Sequence, residues 1–381
     1  MNLLKNKNDM NIQNLARTLI IMAAAMLSSL STASAGRELT ETPASDSRIG
    51  YCGRTVTDSS GVSFDWSGVS VRIRFTGPYI ALTCSDTKAN YFNVWVDSGF
   101  SEKEDFVIKT SGKDTTIVLA ENLGKGEHEI LLQKRTEGEQ GTVTFHSFIT
   151  RGEILSAPVH KERLMEFIGD SYTCGYGTES GAATDPFLAE TENCNLTYAA
   201  VAARYFDSDF VLISHSGQGI ARNYDASGKE ATMVERYSRA LDENPAHIWG
   251  HGQSGRIPDI VVIYLGANDF STGKQPTIGI FSTRYAELLG KIRAGYGEDV
   301  PILCLAAKDD PGIEEYIKTA CIRSGIKNVS YAAIQPAAFN SDSDLGASWH
   351  PNYYGHIKTA SIVIPYISTL TGWQMEDKAY R

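Results

Sequence analysis

The sequence predicts two architectures in tandem. An antiparallel β-sandwich of jelly-roll type comes first, followed by an α/β domain with a parallel five-stranded sheet flanked by helices. Three observations carry this. From about residue 37 to 154 the apolar residues alternate with period two, and no stretch shows a convincing helical period. Residues 155–163 form a polar, proline-bearing joint. Beyond it, short apolar runs alternate with longer amphipathic ones, the pattern of parallel strands joined by helices. The expected divisions are 1–35 for a targeting segment, 36–157 for the sandwich and 158–381 for the α/β domain.

In chain order, Lys5, Lys7 and Arg17 precede an apolar stretch from Leu19 to Leu30, and Ala33-Ser34-Ala35 supplies a small-x-small cleavage pattern. The segment reads as a signal peptide, since its apolar core is short for a bilayer span. The expected location is secreted or periplasmic. Sandwich strands are expected at Val69–Phe75, Tyr79–Thr83, Tyr91–Val96, Thr115–Leu119, Glu127–Leu132 and Thr142–His146. In the second part, strands are expected at Leu164–Ile168, Phe210–Ser214, Ile260–Leu265, Ile302–Ala306 and Val329–Ile334. Helices are expected near Thr197–Phe206, Phe281–Ala294, Ile313–Ser324 and Pro351–Leu370, with Pro351 at the first helical position.

Bulk properties narrow the partners. The 381 residues are 42% hydrophobic and 21% charged, as in folded soluble proteins. The net charge is -10 without a long basic run, which excludes nucleic acid and anionic membrane as natural partners. A neutral polymer would not be repelled. Six cysteines follow the leader: Cys52, Cys84, Cys174, Cys194, Cys304 and Cys321. Three bridges between sequence neighbours and six free thiols are equal alternatives. Cys-x-x-Cys spacing is absent. His247 and His251 are four apart, but Gly250 and Gly252 argue for a loop, and no metal is expected.

Three predicted strands end in small polar clusters: Gly169-Asp170-Ser171, Ser214-His215-Ser216-Gly217-Gln218-Gly219 and Gly266-Ala267-Asn268-Asp269. If the strands are parallel neighbours, the clusters meet at one edge of the sheet, where α/β folds place their ligands. Ser348-Trp349-His350-Pro351 lies just before the last helix. Ester cleavage needs a nucleophile, a base and donors for the oxyanion. Ser171 can be the nucleophile and His350 the base. The N–H groups of Ser171 and Gly217 and the side-chain amide of Asn268 can be the donors. Trp349 is placed to stack on a sugar ring, with Trp249 and Tyr176 as weaker candidates. Asp170 and Asp269 are expected to shape their turns.

These four blocks, in this order, resemble the SGNH (GDSL-like) hydrolases over roughly residues 160–375. With a β-sandwich ahead and Gly217-Gln218-Gly219-Ile220-Ala221-Arg222-Asn223 in the second block, the chain more narrowly resembles carbohydrate esterase family 2, two-domain deacetylases of plant cell-wall polysaccharides. The resemblance implies Ser171 as nucleophile, His350 as base, and Gly217 and Asn268 in the oxyanion hole. The wider pattern has an Asp three residues before the His, where this chain has Ala347. A backbone carbonyl is the expected substitute for that acid, as in family 2 members that work with a Ser–His dyad. Asp344 is the runner-up, with Asp342 beside it. The expected protein is an exported, monomeric, cofactor-free serine esterase acting on acetylated polysaccharide or oligosaccharide, xylan or mannan. The alternatives are a lipase or thioesterase of the same superfamily, a peptidoglycan O-acetyl esterase, and a non-catalytic glycan-binding protein.

Overall fold

The computed structural model describes residues 38–376 except 228, 251–254, 307–310, 335–338 and 341–342. The expected leader (1–35), His251 and Asp342 lie outside the described residues.

The first part contains β1 (Thr40–Pro43), β2 (Gly50–Cys52), β3 (Val56–Asp58), β4 (Gly61–Phe64), β5 (Ser70–Thr76), β6 (Ile80–Asp86), β7 (Tyr91–Val96), β8 (Phe106–Lys109), β9 (Thr115–Ala120), β10 (Glu127–Lys134) and β11 (Val143–Thr150). One sheet has the order β3-β4-β11-β6-β9, with β1 also on β11, and the other has the order β2-β5-β10-β7-β8. In β5, alternate side chains are buried, as expected of a strand with one face on a core. Between the sheets that core is aromatic: Phe64 meets Phe145 edge-on at 5.0 Å and Phe92 at 6.2 Å. The five strands missed in the sequence, β1 to β4 and β8, are only three or four residues long. Two turns of alternation are too few to register as a pattern.

The second part contains β12 (Arg163–Gly169), α1 (Ser171–Cys174), α2 (Tyr198–Tyr205), β13 (Ser208–Ser214), α3 (Met233–Arg236), β14 (Arg239–Leu241), β15 (Asn244–Ile248), β16 (Ile260–Tyr264), α4 (Ile278–Tyr296), β17 (Ile302–Ala306), α5 (Pro311–Ser324), β18 (Val329–Ala333), β19 (Leu345–Gly346), β20 (His350–Pro351) and α6 (Tyr353–Thr371). The parallel sheet runs β13-β12-β16-β17-β18. Its central strands β12, β16 and β17 are buried along nearly their whole length because helices cover both faces. Ile168, Ile213, Val261 and Ile263 pack with Phe281, Leu288 and Ile292 of α4. Met165, Phe167, Val262 and Leu303 pack with the alanines of α2 and with Val363 and Ile364 of α6. The first strand sits between the second and third, so the chain reverses its direction of winding at β12 and β16. Ligands bind at such a switch point.

Two expectations are corrected, and for the cysteines one of the two alternatives holds. Pro351 does not open α6: it pairs in β20 with Leu345, and Asn352 caps the helix by accepting the N–H groups of Tyr354 and Gly355 at 3.0 and 3.3 Å. His247 lies on a strand, β15, rather than in a loop. All six cysteines are free. Cys52 and Cys84 stand on β2 and β6, in opposite sheets. The Cys174 thiol faces Glu137 at 3.5 Å and the Cys194 thiol faces the Lys134 carbonyl at 3.2 Å.

Candidate active site

The first cluster is built by a strand that must stop. Ser171 begins α1, and a Cβ at Gly169 would lie 1.9 Å from Thr173 Oγ1 in that same short helix. Only glycine lets the strand turn so tightly into the helix. Asp170 caps α1 through Tyr172 N–H, and Gly175, at φ 86°, closes it in the left-handed conformation. The Ser171 N–H, in the first helical position, has no intrahelical acceptor. Ser171 is nearly buried at 7% exposure.

His350 meets it. Its Nε2 lies 2.9 Å from Ser171 Oγ. Its Nδ1 lies 3.2 Å from the Ala347 carbonyl and 3.1 Å from the Ser348 carbonyl. Two successive residues in the left-handed region, Ser348 (φ 52°) and Trp349 (φ 60°), turn the chain around this ring. Neither is glycine, so the turn stores strain, and such strain concentrates at functional sites. Main-chain bonds hold the turn: Ser348 N–H donates to Asp185 O at 3.1 Å and Trp349 N–H to Ala183 O at 3.0 Å. Burial keeps the imidazole pKa below its usual 6.5, against the opposing pull of the Ser348 and Ala347 carbonyls. A neutral ring at pH 7 is the form that accepts a proton.

The remaining predicted residues divide. Gly217, at φ 73°, lies in the turn after β13, and a Cβ there would meet only Tyr224, at 3.7 Å. Among the described residues its N–H has no hydrogen-bond acceptor, while its carbonyl accepts Tyr224 N–H at 2.8 Å. Asn268 is also in place, but its Nδ2 donates to Asp170 Oδ2 at 3.0 Å and to Gln218 O at 2.9 Å. It ties the first cluster to the second and must exchange one of those bonds to reach an oxyanion. Asp269 does more than shape its own turn. Its carboxylate accepts the N–H groups of Ile220, Ala221 and Arg222 at 2.8, 2.6 and 2.9 Å.

Trp349 stands beside His350 and is 62% exposed, so its ring faces solvent. Tyr176 is turned toward the base instead: its ring lies 4.3 Å from the imidazole, and Phe187 stacks behind it at 4.2 Å. Trp249 is elsewhere. It is buried against the Arg54 guanidinium at 5.5 Å and lines a cavity that contains none of these groups. Asp344 does not reach His350. It accepts Asn340 N–H at 2.6 Å and pairs with Lys358 at 2.5 Å.

Sequence reasoning missed His215, whose Nδ1 lies 2.6 Å from Asp242 Oδ2. His215 was visible within the second cluster. Its partner on the β14–β15 turn is 27 residues away and carries no local signal.

Residues 51–158 match the family described as Carbohydrate esterase 2 N-terminal, and residues 167–357 match the GDSL-like Lipase/Acylhydrolase family. A solved family two carbohydrate esterase from Clostridium thermocellum, in complex with cellohexaose, is 31% identical; the match covers 86% of this chain and 100% of that one, with a TM-score of 0.77. The chain belongs to carbohydrate esterase family 2. The cellulase/esterase CelE of Acetivibrio thermocellus is 31% identical to this family 2 esterase over 347 residues, 88% of this chain but 41% of that protein. The chain thus spans less than half of that relative. An acetylxylan esterase / glucomannan deacetylase of Cellvibrio japonicus is 27% identical over 350 residues, 88% of this chain and 90% of that protein. Both parts of the resemblance, the β-rich domain and the α/β domain with its five-stranded parallel sheet, hold for this family 2 esterase.

Proposed function

We propose that the protein is an exported, monomeric serine esterase that removes O-acetyl groups from plant cell-wall polysaccharide, xylan or mannan, through an acyl-enzyme. One observation carries the reading: His350 faces Ser171 Oγ through Nε2 while two backbone carbonyls face its Nδ1. That is a base with its tautomer set by the main chain and, among the described residues, without a carboxylate. Oγ attacks the acetyl carbonyl as Nε2 takes its proton. The imidazolium then donates Nδ1–H to the Ala347 and Ser348 carbonyls. The tetrahedral oxyanion is taken by the N–H groups of Ser171 and Gly217, each donor worth about 3 kcal/mol of barrier, and by Asn268 once it gives up a present bond. Collapse expels the sugar hydroxyl, protonated by His350. Water, deprotonated by the same ring, attacks the acetyl-serine and releases acetate. No step calls for a cofactor. Exposed Trp349 offers a flat apolar face to a sugar ring beside the scissile ester. The polysaccharide named for the Cellvibrio japonicus relative supports the substrate class.

The test is acetate release from acetylated xylan, acetylated glucomannan and O-acetylated peptidoglycan, alongside 4-nitrophenyl acetate and octanoate. Release from a plant polymer with acetate strongly preferred over octanoate is expected. Comparable rates on the two nitrophenyl esters would indicate a lipase or thioesterase. Release from peptidoglycan alone would move the substrate to bacterial wall. Glycan binding without any release would leave a binding protein.

A further inference from the structure

The segment joining β10 to β11 leaves the sandwich and packs against the loops of the active site. Arg135 O accepts Cys194 N–H at 3.3 Å, and a Cβ at Gly138 would lie 2.5 Å from Asp242 Oδ2. Between them stands Glu137, 1% exposed. Its Oε2 accepts the Ser216 N–H at 2.6 Å and lies 3.5 Å from the thiol of Cys174. Ser216 precedes Gly217, and Cys174 is the last residue of the four-residue helix that begins at Ser171. One carboxyl oxygen therefore touches the supports of both main-chain oxyanion donors.

We infer that Glu137, supplied by the β-sandwich, is a positioning residue for ester hydrolysis: it fixes the peptide leading into Gly217 against the nucleophile helix and so sets the oxyanion hole. The inference rests on the esterase reading above. The placement is costly for a packing residue alone, since an acid buried without need could be replaced by an apolar side chain. Moreover, it faces a second buried acid. Glu137 N–H donates to Glu192 Oε2 at 3.3 Å. Burial first, and then neighbouring Glu137, push the Glu192 carboxyl well above the ordinary range, so the pair need not hold two buried charges. Lys134, fully buried beneath them, donates to the Thr136 and Glu137 carbonyls at 2.6 and 3.0 Å, which fixes the segment's backbone. The sandwich thus completes the reacting centre.

The full chain is assayed on 4-nitrophenyl acetate, below the lowest thermal midpoint of the variants. Glu137→Ala leaves Ser216 N–H without its acceptor and is expected to lower kcat about 30-fold with KM within about two-fold, part of the loss seen when an oxyanion donor is removed. Glu137→Gln keeps an acceptor oxygen at the same reach and is expected to restore kcat to within about three-fold of wild type. Glu137→Asp keeps the acid but withdraws it by one methylene; a loss of about ten-fold in kcat is expected, by the sensitivity of catalysis to small displacements, and carries the test if the Ala variant does not fold. A folded Ala or Asp variant with wild-type kcat, a loss confined to KM, or a Gln variant as slow as Ala would overturn the inference. A wild-type protein that hydrolyses no ester would instead remove the reading on which it rests.

Discussion

Among the described residues no carboxylate faces His350 Nδ1, and Asp344, the first candidate for that place, is engaged elsewhere. Ala347, at the position of the missing Asp, contributes its carbonyl instead, shared with Ser348, at 3.2 and 3.1 Å from Nδ1. A carbonyl orients the ring and accepts Nδ1–H, but it brings no full charge to the imidazolium, so the strained turn at Ser348 and Trp349 is what holds the geometry. Asp344 supports a different structure. Although burial opposes its charge, Asn340 N–H and Lys358 hold its carboxyl below the ordinary value. Asp344→Ala is therefore expected to lower the thermal midpoint while leaving kcat within about three-fold; a triad acid would cost about 10⁴ in kcat. Steady-state rates on 4-nitrophenyl acetate decide between the two.

Among the elements, the strand-end loops are held by carboxylates rather than by regular structure. The turn after β13 has Asp269 on the N–H groups of 220–222, Glu137 on Ser216 and Asp242 on His215. Asp242 is itself held by the sandwich, its N–H donating to Asp65 Oδ1 at 2.7 Å. Burial works against the charge on His215, but the Asp242 carboxylate beside it lifts the pKa from 6.5 to about 9. A folded pKa above the unfolded one means that the folded state holds the proton more tightly. The stabilisation is complete below pH 6.5 and is lost as pH rises through about 9. The thermal midpoint is expected to fall across that window, and His215→Asn to flatten the fall; an equal slope in the variant would place its cause elsewhere. The contrast with the strands shows what a sequence makes legible. The parallel strands and long helices declare themselves, because apolar runs and helical periods are local. Ser171, Gly217, Asn268 and His350 are legible because each follows a strand or precedes a helix. The pairings Glu137–Ser216, Asp242–His215 and Asp65–Asp242 join residues 79, 27 and 177 positions apart, and only the folded chain brings them together.

For the molecule as a whole, the sandwich and the sheet pack as one compact unit. A cavity of about 620 Å³ lies where they meet, lined by Tyr51, Arg54, Glu166, Trp249 and Tyr296. Glu166 lies on β12, well before Ser171 along the strand, and accepts the hydroxyls of Tyr237 and Tyr296 at 2.9 and 2.7 Å. That cavity explains why Trp249, a candidate for sugar contact in the sequence, sits among core groups. Ser171 and His350 instead lie beside Trp349, which is exposed. In the proposed reaction Ser171, activated by His350, carries the acyl group. The direct measurement is acetate release from acetylated xylan by the full chain and by Ser171→Ala, with both proteins confirmed folded by their thermal midpoints. Release by the wild type that drops at least about 10³-fold in the variant is predicted, as for loss of a serine nucleophile; a folded Ser171→Ala protein that still releases acetate at the wild-type rate would contradict it.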